Sequence, residues 1–402
     1  MNWSESFARR THNMKPSVIR EILKLTQRSS VISFAGGLPA PHLFPVERLR
    51  EAADTVLTER GAEALQYGTT EGYLPLREWV AAQLTAGGAQ GVVAQNVQIL
   101  SGSQQALDLL GKIFLDPGDT LLVAAPTYMG ALRAFDAYEP TYLSVPTDDE
   151  GMLPDALEAA LQAKPKLIYV IPNFDNPTGI TMSLERRKFL VERAAHYGVP
   201  ILEDNPYGEL RFEGEALPNL HTLAPEGVIY CGTFSKIMVP GFRLAWVVTS
   251  PEVITLLTRT KQAADLHTAT FTQMIAHEVT RDGFMDTQID RVRTYYKGQR
   301  DLMLTALKRY MPAEVHWTRP SGGMFLWCTL PEGQNATEIA YEAVKQDVAY
   351  VPGETFYGDG NVLNTLRLSY SVATPEQVDT GISRLGRVFA GRLERPLAQQ
   401  QR

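Results

Sequence analysis

GTFSKIMVPGFR, residues 232–243, is followed at once by the apolar run LAWVV, residues 244–248. Lys236 stands in the middle of the first stretch, after two hydroxyl residues and before Arg243. A lysine in apolar surroundings loses hydration, so its amine is deprotonated more easily than in water. The two stretches together predict a turn that carries a reactive amine and leads into a buried strand.

The side chains on either side of Lys236 indicate what the amine could react with. Thr233 and Ser235 offer hydroxyls and Arg243 offers a guanidinium, and these groups bind phosphate. A neutral amine forms a Schiff base with an aldehyde. An aldehyde that also carries a phosphate is pyridoxal 5'-phosphate, which is therefore the predicted cofactor. A lone lysine is more often a solvated surface charge, so the hypothesis depends on the rest of the chain.

The bulk composition is that of an ordinary globular protein. The chain has 402 residues, 44% apolar and 21% charged, which is enough for one large domain and a smaller one. The net charge of −7 and the scattered basic residues disfavour nucleic-acid binding. No apolar stretch reaches the roughly 18 residues of a membrane helix, so no membrane partner is expected.

Cysteine and histidine usage predicts a cytoplasmic protein without a metal. Cys231 and Cys328 are far apart and each lies beside apolar residues, which favours buried thiols in a reducing compartment over a disulfide or a metal site. The seven histidines form no ligand-spaced cluster. The first ten residues lack the apolar core of a signal peptide.

Short apolar runs alternate with amphipathic segments from about residue 98 onward. This alternation is typical of a largely parallel sheet with helices on both faces, and such sheets bind ligands beyond the carboxyl ends of their strands. Nearly every chemically interesting residue follows a predicted strand. The predicted strands are 97–100, 120–124, 167–171, 201–202, 228–231 and 244–248, and the predicted helices between them are 104–114, 129–138 and 184–197.

The two ends of the chain have other patterns. Residues 284–311 predict a long charged helix that joins the large domain to a C-terminal domain starting near residue 300. Within that domain, 322–327 and 365–371 are predicted strands. Residues 15–28 predict a helix that packs on the smaller domain or lies across the site.

Three turns after predicted strands carry polar residues that suit a phosphate-bearing aromatic aldehyde. SGSQ at residues 101–104 opens a helix, where free amides attract phosphate, although a serine-capped helix is the plainer interpretation. Asn176, in an Asn-Pro-Thr-Gly turn, could aim its amide at a ring oxygen or be only part of a turn. Asp204 follows a buried run, where a carboxylate needs a cation such as a protonated pyridine nitrogen. An aspartate capping a turn is about as common.

Three further side chains are ambiguous alone. Tyr207, three residues after Asp204, could bond the ring hydroxyl. Tyr128 could stack on the ring, though a lone tyrosine is more often packing. Arg367 lies between leucines and needs a carboxylate partner, from the protein or from a substrate.

The motifs become specific through their order along the chain. The order is a Gly-Ser turn, an aromatic, Asn-Pro-x-Gly, Asp-x-x-Tyr, Ser-Lys with an arginine seven residues later, and Leu-Arg-Leu-Ser. In this order they resemble the fold-type I pyridoxal-phosphate aminotransferases of class I and II, over about residues 14–390. The chain looks closest to the 2-aminoadipate/kynurenine aminotransferase group, on the stretches REILKL (20–25), FAGGLP (34–39), QYGTTEGY (66–73) and ADLHT (264–268).

The resemblance implies an α/β fold with two domains. The large domain would hold a mostly parallel seven-stranded sheet between helices, and the smaller α+β domain would form from the C-terminal part and the N-terminal segment. The expected division is 1–50 for an N-terminal helix and segment near the small domain and the active site, 51–295 for the large cofactor-binding domain, and 296–402 for the small domain.

The resemblance also implies a role for each candidate side chain. Lys236 would hold the cofactor as an internal aldimine and then move the proton between the substrate α carbon and the cofactor. Asp204 would pair with the pyridinium nitrogen. The other contacts would be Asn176 and Tyr207 at the ring oxygen, Tyr128 on the ring face, and Ser103, Gln104, Thr233, Ser235 and Arg243 at the phosphate, with Thr233 replacing the family's usual serine.

Substrate recognition would fall to five residues. Arg367 would bind the α-carboxylate, helped by Asn176 and the Gly37 backbone. Tyr67 would reach the cofactor and substrate from the neighbouring subunit, so the resemblance implies a homodimer with shared sites. Arg20 lies on the polar face of the predicted helix, which by itself favours a solvated position. By resemblance Arg20 would pair with the distal carboxylate of an acidic substrate.

The reaction expected from the resemblance is ping-pong amino transfer. The amino acid would be 2-aminoadipate or glutamate, with leucine or kynurenine as further substrates, and the 2-oxo acid would be 2-oxoglutarate or 2-oxoadipate. The alternative is lyase or other non-transaminase chemistry with the same cofactor, which Arg20 and the 264–268 stretch disfavour. A DNA-binding regulator on this fold is disfavoured because the matching region begins within the first 15 or so residues. A catalytically inactive binding protein is disfavoured by Lys236, Asp204 and Arg367.

Overall fold

The computed structural model describes residues 2–13 and 30–394. The helix predicted at 15–28, and with it Arg20, lies outside the described residues. Within them the strands are β1 (Ile32–Ser33), β2 (Val97–Leu100), β3 (Thr120–Ala125), β4 (Thr141–Asp148), β5 (Gly151–Met152), β6 (Leu167–Val170), β7 (Ile201–Asp204), β8 (Val228–Thr233), β9 (Ala245–Val248), β10 (His316–Trp317), β11 (Phe325–Thr329), β12 (Val348–Ala349), β13 (Val351–Pro352) and β14 (Thr365–Ser369). The helices are α1 (Val46–Ala64), α2 (Leu74–Ala86), α3 (Ser103–Phe114), α4 (Met129–Phe135), α5 (Pro154–Leu161), α6 (Leu184–Tyr197), α7 (Leu220–Leu223), α8 (Pro251–Ala264), α9 (Thr270–Thr280), α10 (Phe284–Tyr310), α11 (Ala336–Lys345) and α12 (Pro375–Leu393).

The larger sheet has the strand order β2-β9-β8-β7-β6-β3-β4-β5. The five strands from β8 to β4 in this order pair in parallel, whereas β9 runs antiparallel to both β2 and β8. Every residue of β2, β6, β7, β8 and β9 is buried, as expected for strands covered by helices on both faces. The predicted α/β class is confirmed, with seven strands of four or more residues and the two-residue β5 at one edge.

The smaller sheet is antiparallel and has the order β10-β11-β14-β13. A separate pair joins β1, near the N-terminus, to β12 in the C-terminal part. The N-terminal segment therefore packs with the C-terminal part of the chain, as the resemblance implies. The expected division at residues 50 and 295 stays a prediction.

Local sequence sets the ends of several helices. Ser183 and Ser250 each accept a hydrogen bond from a backbone N–H in the first turn of α6 and α8, the usual role of a serine N-cap. Thr374 and Gln377 form a capping box at the start of α12. Gly198 ends α6 with a φ of 70°, a conformation that glycine adopts without strain.

Some element boundaries differ from the predicted ones. The strand predicted at 322–327 is Phe325–Thr329, because Gly322 and Gly323 turn against Phe174, where a Cβ on either glycine would overlap that side chain. β4 was not predicted, since its side chains form no continuous apolar run. The helix predicted at 129–138 ends at Phe135 and tightens into a 3₁₀ turn. In the described ranges no helix combines the length and apolarity that a membrane crossing requires.

Candidate active site

The candidate site lies where the parallel strands of the larger sheet end. Gly102 follows β2, Asn176 follows β6 and Lys236 follows β8, while Asp204 is the last residue of β7. Carboxyl ends of parallel strands meet at one edge of a sheet, so residues from distant parts of the chain converge there. Arg367 comes from β14 of the smaller sheet and hydrogen-bonds Asn176, so both sheets contribute to the site.

The amine in the candidate site is that of Lys236. Its Nζ donates a hydrogen bond to the backbone carbonyl of Gly37 at 3.0 Å and lies 6.0 Å from the centre of the Tyr207 ring. Burial, aided by the positive charges of Arg367 and Arg243, lowers the pKa of Lys236 to about 8. A substantial neutral fraction is therefore present near pH 8, which is the form that can attack an aldehyde.

Asp204 presents one carboxylate oxygen that has no partner in the described structure. The side chain is 3% exposed; its Oδ2 accepts a hydrogen bond from Tyr169 Oη at 2.9 Å, while Oδ1 is buried without a partner. Burial raises the pKa of Asp204 to about 6. A buried carboxylate oxygen without a partner is costly, and a protonated pyridine nitrogen is a group that fits there.

Tyr169 was not predicted as part of the site. It lies in β6 with no exposed surface, and its hydroxyl fixes the position of the Asp204 carboxylate. The available signal was chemical, because a tyrosine in a fully buried strand needs a partner for its hydroxyl. Its sequence position alone gives no indication that the partner is Asp204.

Asn176, Tyr207 and Arg367 form a connected group beside Lys236. Asn176 Nδ2 donates to Tyr207 Oη at 3.4 Å, and Asn176 Oδ1 accepts from Arg367 Nη1 at 2.7 Å. Arg367 Nη2 donates to the carbonyl of Ala35 at 2.7 Å. One amide thus positions both a phenol and a guanidinium.

The Arg367 guanidinium is buried between two aromatic rings. Its carbon lies 4.3 Å from the centre of the Phe325 ring and 5.1 Å from that of Phe356. Burial lowers the pKa of Arg367 to about 10, and its Nε has no hydrogen-bond partner. Among residues 30–394 it forms no ion pair, so this cation is arranged to receive a carboxylate from outside the chain.

The predicted phosphate-binding residues lie at the start of α3 and in the turns on either side of Lys236. Gly102 has a φ of 93°, and a Cβ there would overlap the guanidinium of Arg243. Thr233 Oγ1 donates to Ser235 Oγ at 2.9 Å and is also 3.0 Å from the Leu244 carbonyl. Glycine is therefore required for the Arg243 guanidinium to lie against residue 102. A phosphate bound here would face the first amides of α3, a cation and hydroxyls.

The other four predicted site residues differ in their surroundings. Ser103 is the first residue of α3, and Gln104 Nε2 donates to the carbonyl of Gly130 at 2.9 Å. Burial, followed by the charge of Asp204, raises the pKa of Tyr128, whose ring lies against Gly130 at the start of α4. Tyr67 is 78% exposed and contacts His267 edge-on at 5.7 Å, so within one chain its ring points into solvent.

A family model identifies the chain. The model described as aminotransferase class I and II matches residues 31–385. The chain belongs to this family. The matched region contains every predicted site residue except Arg20, and the aminotransferase therefore has the fold that its motif order indicated.

Relatives of this aminotransferase cover almost the whole chain. It is 47% identical to aromatic-amino-acid aminotransferase 1 of Thermococcus litoralis, over 96% of this chain and 94% of that protein. It is also 47% identical to the 2-aminoadipate transaminase of Thermus thermophilus, over 98% of each. The crystal structure of the α-aminoadipate aminotransferase of Thermus thermophilus, complexed with N-(5'-phosphopyridoxyl)-L-leucine, superimposes with a TM-score of 0.91 at 45% identity, covering 98% of this chain and 99% of that one.

These findings establish the enzyme class and the cofactor. The protein is a pyridoxal-phosphate-dependent aminotransferase close to the 2-aminoadipate/kynurenine group. These side chains fit pyridoxal 5'-phosphate. The unpartnered Oδ1 of Asp204 suits the ring nitrogen, and the amine of Lys236 suits the aldehyde. The turn at Gly102 with the Arg243 guanidinium against it suits the phosphate.

Proposed function

We propose that this aminotransferase moves the amino group of 2-aminoadipate or glutamate to 2-oxoglutarate or 2-oxoadipate, by a ping-pong mechanism, and accepts leucine or kynurenine as further amino acids. The observation that carries the proposal is the buried Arg367 guanidinium, which has no ion-pair partner in residues 30–394 and belongs to the same hydrogen-bonded group as Asn176 and Tyr207. The relatives named above support the choice of acidic and aromatic substrates.

The side chains would divide the work as follows. Pyridoxal 5'-phosphate supplies an aldehyde that exchanges with amines and a ring that withdraws electrons from the substrate α carbon. Lys236 would take the proton from the substrate α carbon and return it to the aldehyde carbon of the cofactor, two bonds away, a task suited to its lowered pKa. Asp204 would hold the ring nitrogen protonated. Asn176 and Tyr207 would bind the ring oxygen, Tyr128 would cover the ring, and Ser103, Gln104, Thr233, Ser235 and Arg243 would hold the phosphate.

Arg367 would bind the α-carboxylate that all the substrates share. Its Asn176 and Ala35 contacts leave the guanidinium aligned but not neutralised. We expect Arg367→Lys to lower kcat/KM about 100-fold or more for every amino acid, because the bidentate pair in a desolvated site is lost. Steady-state kinetics with glutamate and leucine would measure this. The binding of pyridoxal 5'-phosphate should change little, and an unchanged kcat/KM would contradict the role.

We also propose that the enzyme is a homodimer with shared active sites. Tyr67 is exposed beside His267, and Leu65 and Leu74 are also at least half exposed. An exposed apolar stretch of this kind favours a protein interface. In a dimer, Tyr67 would reach the cofactor and substrate of the neighbouring subunit. Both cysteines are free and buried, which is consistent with a cytoplasmic location.

Arg20 is the proposed determinant of acidic specificity. If it pairs with the distal carboxylate, we expect Arg20→Ala to lower kcat/KM for 2-oxoadipate and 2-oxoglutarate about 10- to 100-fold, the loss of one charged hydrogen-bonded pair. A leucine-derived oxo acid has no second carboxylate and should be affected within about twofold, since it never made the pair. Kinetics with the three oxo acids would measure the difference, and equal losses for all three would refute the role.

One experiment tests the whole proposal. The pyridoxal form of the enzyme is mixed with single amino acids, and conversion to the pyridoxamine form is followed by absorbance. Conversion with 2-aminoadipate and glutamate, followed by full reversal with 2-oxoglutarate, is the expected result of ping-pong transamination. Release of ammonia or of a cleaved side chain without a stable pyridoxamine form would favour lyase chemistry instead.

A further inference from the structure

A polar cluster surrounds Ser101, immediately before the Gly102 turn. The Lys261 side chain on α8 has no exposed surface. Its Nζ donates to the two oxygens of Asp265 at 2.8 and 2.9 Å and to Gln105 Oε1 at 2.8 Å. A buried ammonium is costly unless it is paired and fully hydrogen-bonded. The cluster meets this requirement, although none of its members has a role in the catalysis proposed above.

The other contacts of the cluster link Asp265 and Gln105 to each other and to Ser101, whose Oγ also lies 3.1 Å from Thr268 Oγ1. Asp265 Oδ2 accepts from Ser101 Oγ at 3.0 Å and from Gln105 Nε2 at 2.7 Å. The backbone N–H of Ser101 donates to Gln105 Oε1 at 2.8 Å. Both the side chain and the backbone of Ser101 are therefore held by groups that the Lys261–Asp265 ion pair orients.

We infer that Lys261 and Asp265 are positioning residues for the cofactor phosphate and act through Ser101. The inference rests on the phosphate role proposed for the start of α3. A helix start binds phosphate only when its free amides converge on one point, and the direction of those amides is set by the backbone at Ser101 and Gly102. Arg243 packs against Gly102, whereas Asp265 of the ion pair is hydrogen-bonded to Ser101, the residue before Gly102.

The test compares two aldehydes that differ only in the phosphate. The full-length chain is freed of cofactor and titrated with pyridoxal 5'-phosphate and with pyridoxal, and absorbance gives a Kd for each. Both aldehydes react with Lys236, but only one uses the phosphate site. For Asp265→Asn and Lys261→Met we expect the Kd of pyridoxal 5'-phosphate to rise roughly tenfold to hundredfold. The Kd of pyridoxal should stay the same.

A matched ion pair elsewhere provides the control. On α6, Arg193 forms two 2.6 Å hydrogen bonds with Glu158, away from the cofactor turns. Arg193→Met and Glu158→Gln should leave the ratio of the two Kd values unchanged. If a single variant at the cluster fails to fold, the double variant K261M/D265L removes both charges and restores apolar burial. It should still lose the preference for the phosphorylated aldehyde, because Ser101 Oγ has lost its carboxylate acceptor and keeps only its contact with Thr268 Oγ1.

Two results would overturn the inference. One is an unchanged ratio of the pyridoxal Kd to the pyridoxal 5'-phosphate Kd in the folded variants. The other is an equal loss of affinity for both aldehydes, which would mean a general structural role. If the unsubstituted chain itself showed no preference for pyridoxal 5'-phosphate, the phosphate role proposed for residues 101–104 would fail first. The two failures are therefore distinguishable.

Discussion

Lys236→Ala is expected to lower the rate of transamination at least about 10⁴-fold, the upper range for loss of a positioned acid–base group. The substitution removes the amine proposed to react with the aldehyde, and it also removes the group proposed to move the substrate proton. The lowered pKa of about 8 suits both tasks. Single-turnover absorbance measurements with glutamate separate the two losses, because the substrate amine can react with the aldehyde without Lys236, whereas proton transfer then lacks its positioned group.

A surface lysine supplies the control for Lys236. Lys188 lies exposed on α6, and Lys188→Ala should keep full activity. A small primary amine added to the buffer should restore part of the proton-transfer rate of Lys236→Ala, since the missing group is itself a primary amine. Activity of Lys236→Ala within about tenfold of the unsubstituted enzyme would exclude the proposed role.

Asp204→Asn should lower kcat about 10²- to 10³-fold, the range for loss of one preorganised electrostatic contact. An amide in place of the carboxylate cannot hold the ring nitrogen protonated, so the ring withdraws electrons less strongly. The preceding residue is the control. Glu203 is equally buried, but its oxygens accept hydrogen bonds from the Leu220 and His221 N–H groups at 3.1 and 2.9 Å. Glu203→Gln should lower stability and leave kcat unchanged; comparable kcat losses in both variants would contradict the assignment.

The same Asp204→Asn substitution should stabilise the cofactor-free protein. Burial raises the pKa of Asp204 from its ordinary 3.8 to about 6, so the folded state retains the proton that the unfolded state loses. Below about pH 4 both states are protonated and the variant should match the unsubstituted protein. Above about pH 6 the unsubstituted protein bears the full cost of burying the ionised Asp204. The variant should therefore exceed it by about 3 kcal/mol in the free energy of unfolding. Urea unfolding at pH 4 and pH 8 would measure this, and equal stabilities at pH 8 would show that the buried charge carries no cost.

Much of this architecture follows from local patterns. Apolar runs at β2, β3, β6, β8 and β9 are short, buried and flanked by turns, and strands of that kind are visible in a sequence. The order of the motifs then predicts that Asp204, Asn176 and Lys236 meet, because parallel strands place their carboxyl ends together. β4 escapes prediction, since it lies near the sheet edge with mostly half-exposed residues and no apolar run.

The remaining features depend on contacts between distant parts of the chain. Tyr169 and Asp204 are 35 residues apart, and Lys261 and Gln105 are 156 apart. The packing that brings each pair together cannot be predicted from a local sequence pattern. The half-buried Lys236 was predictable from its neighbours. The Gly37 backbone was expected to help bind the substrate, which stays a prediction, whereas the hydrogen bond from Lys236 to the Gly37 carbonyl, 199 residues away, was not predicted.

The order of strands along the chain has a consequence for synthesis. All eight strands of the larger sheet lie before residue 249, whereas Arg367 and its sheet come after residue 315. As the chain leaves the ribosome from its N-terminus, the groups proposed to bind the cofactor are made before Arg367, the cation proposed to bind the substrate. A nascent chain can therefore contain its proposed cofactor-binding residues well before it contains the arginine proposed to bind the substrate α-carboxylate.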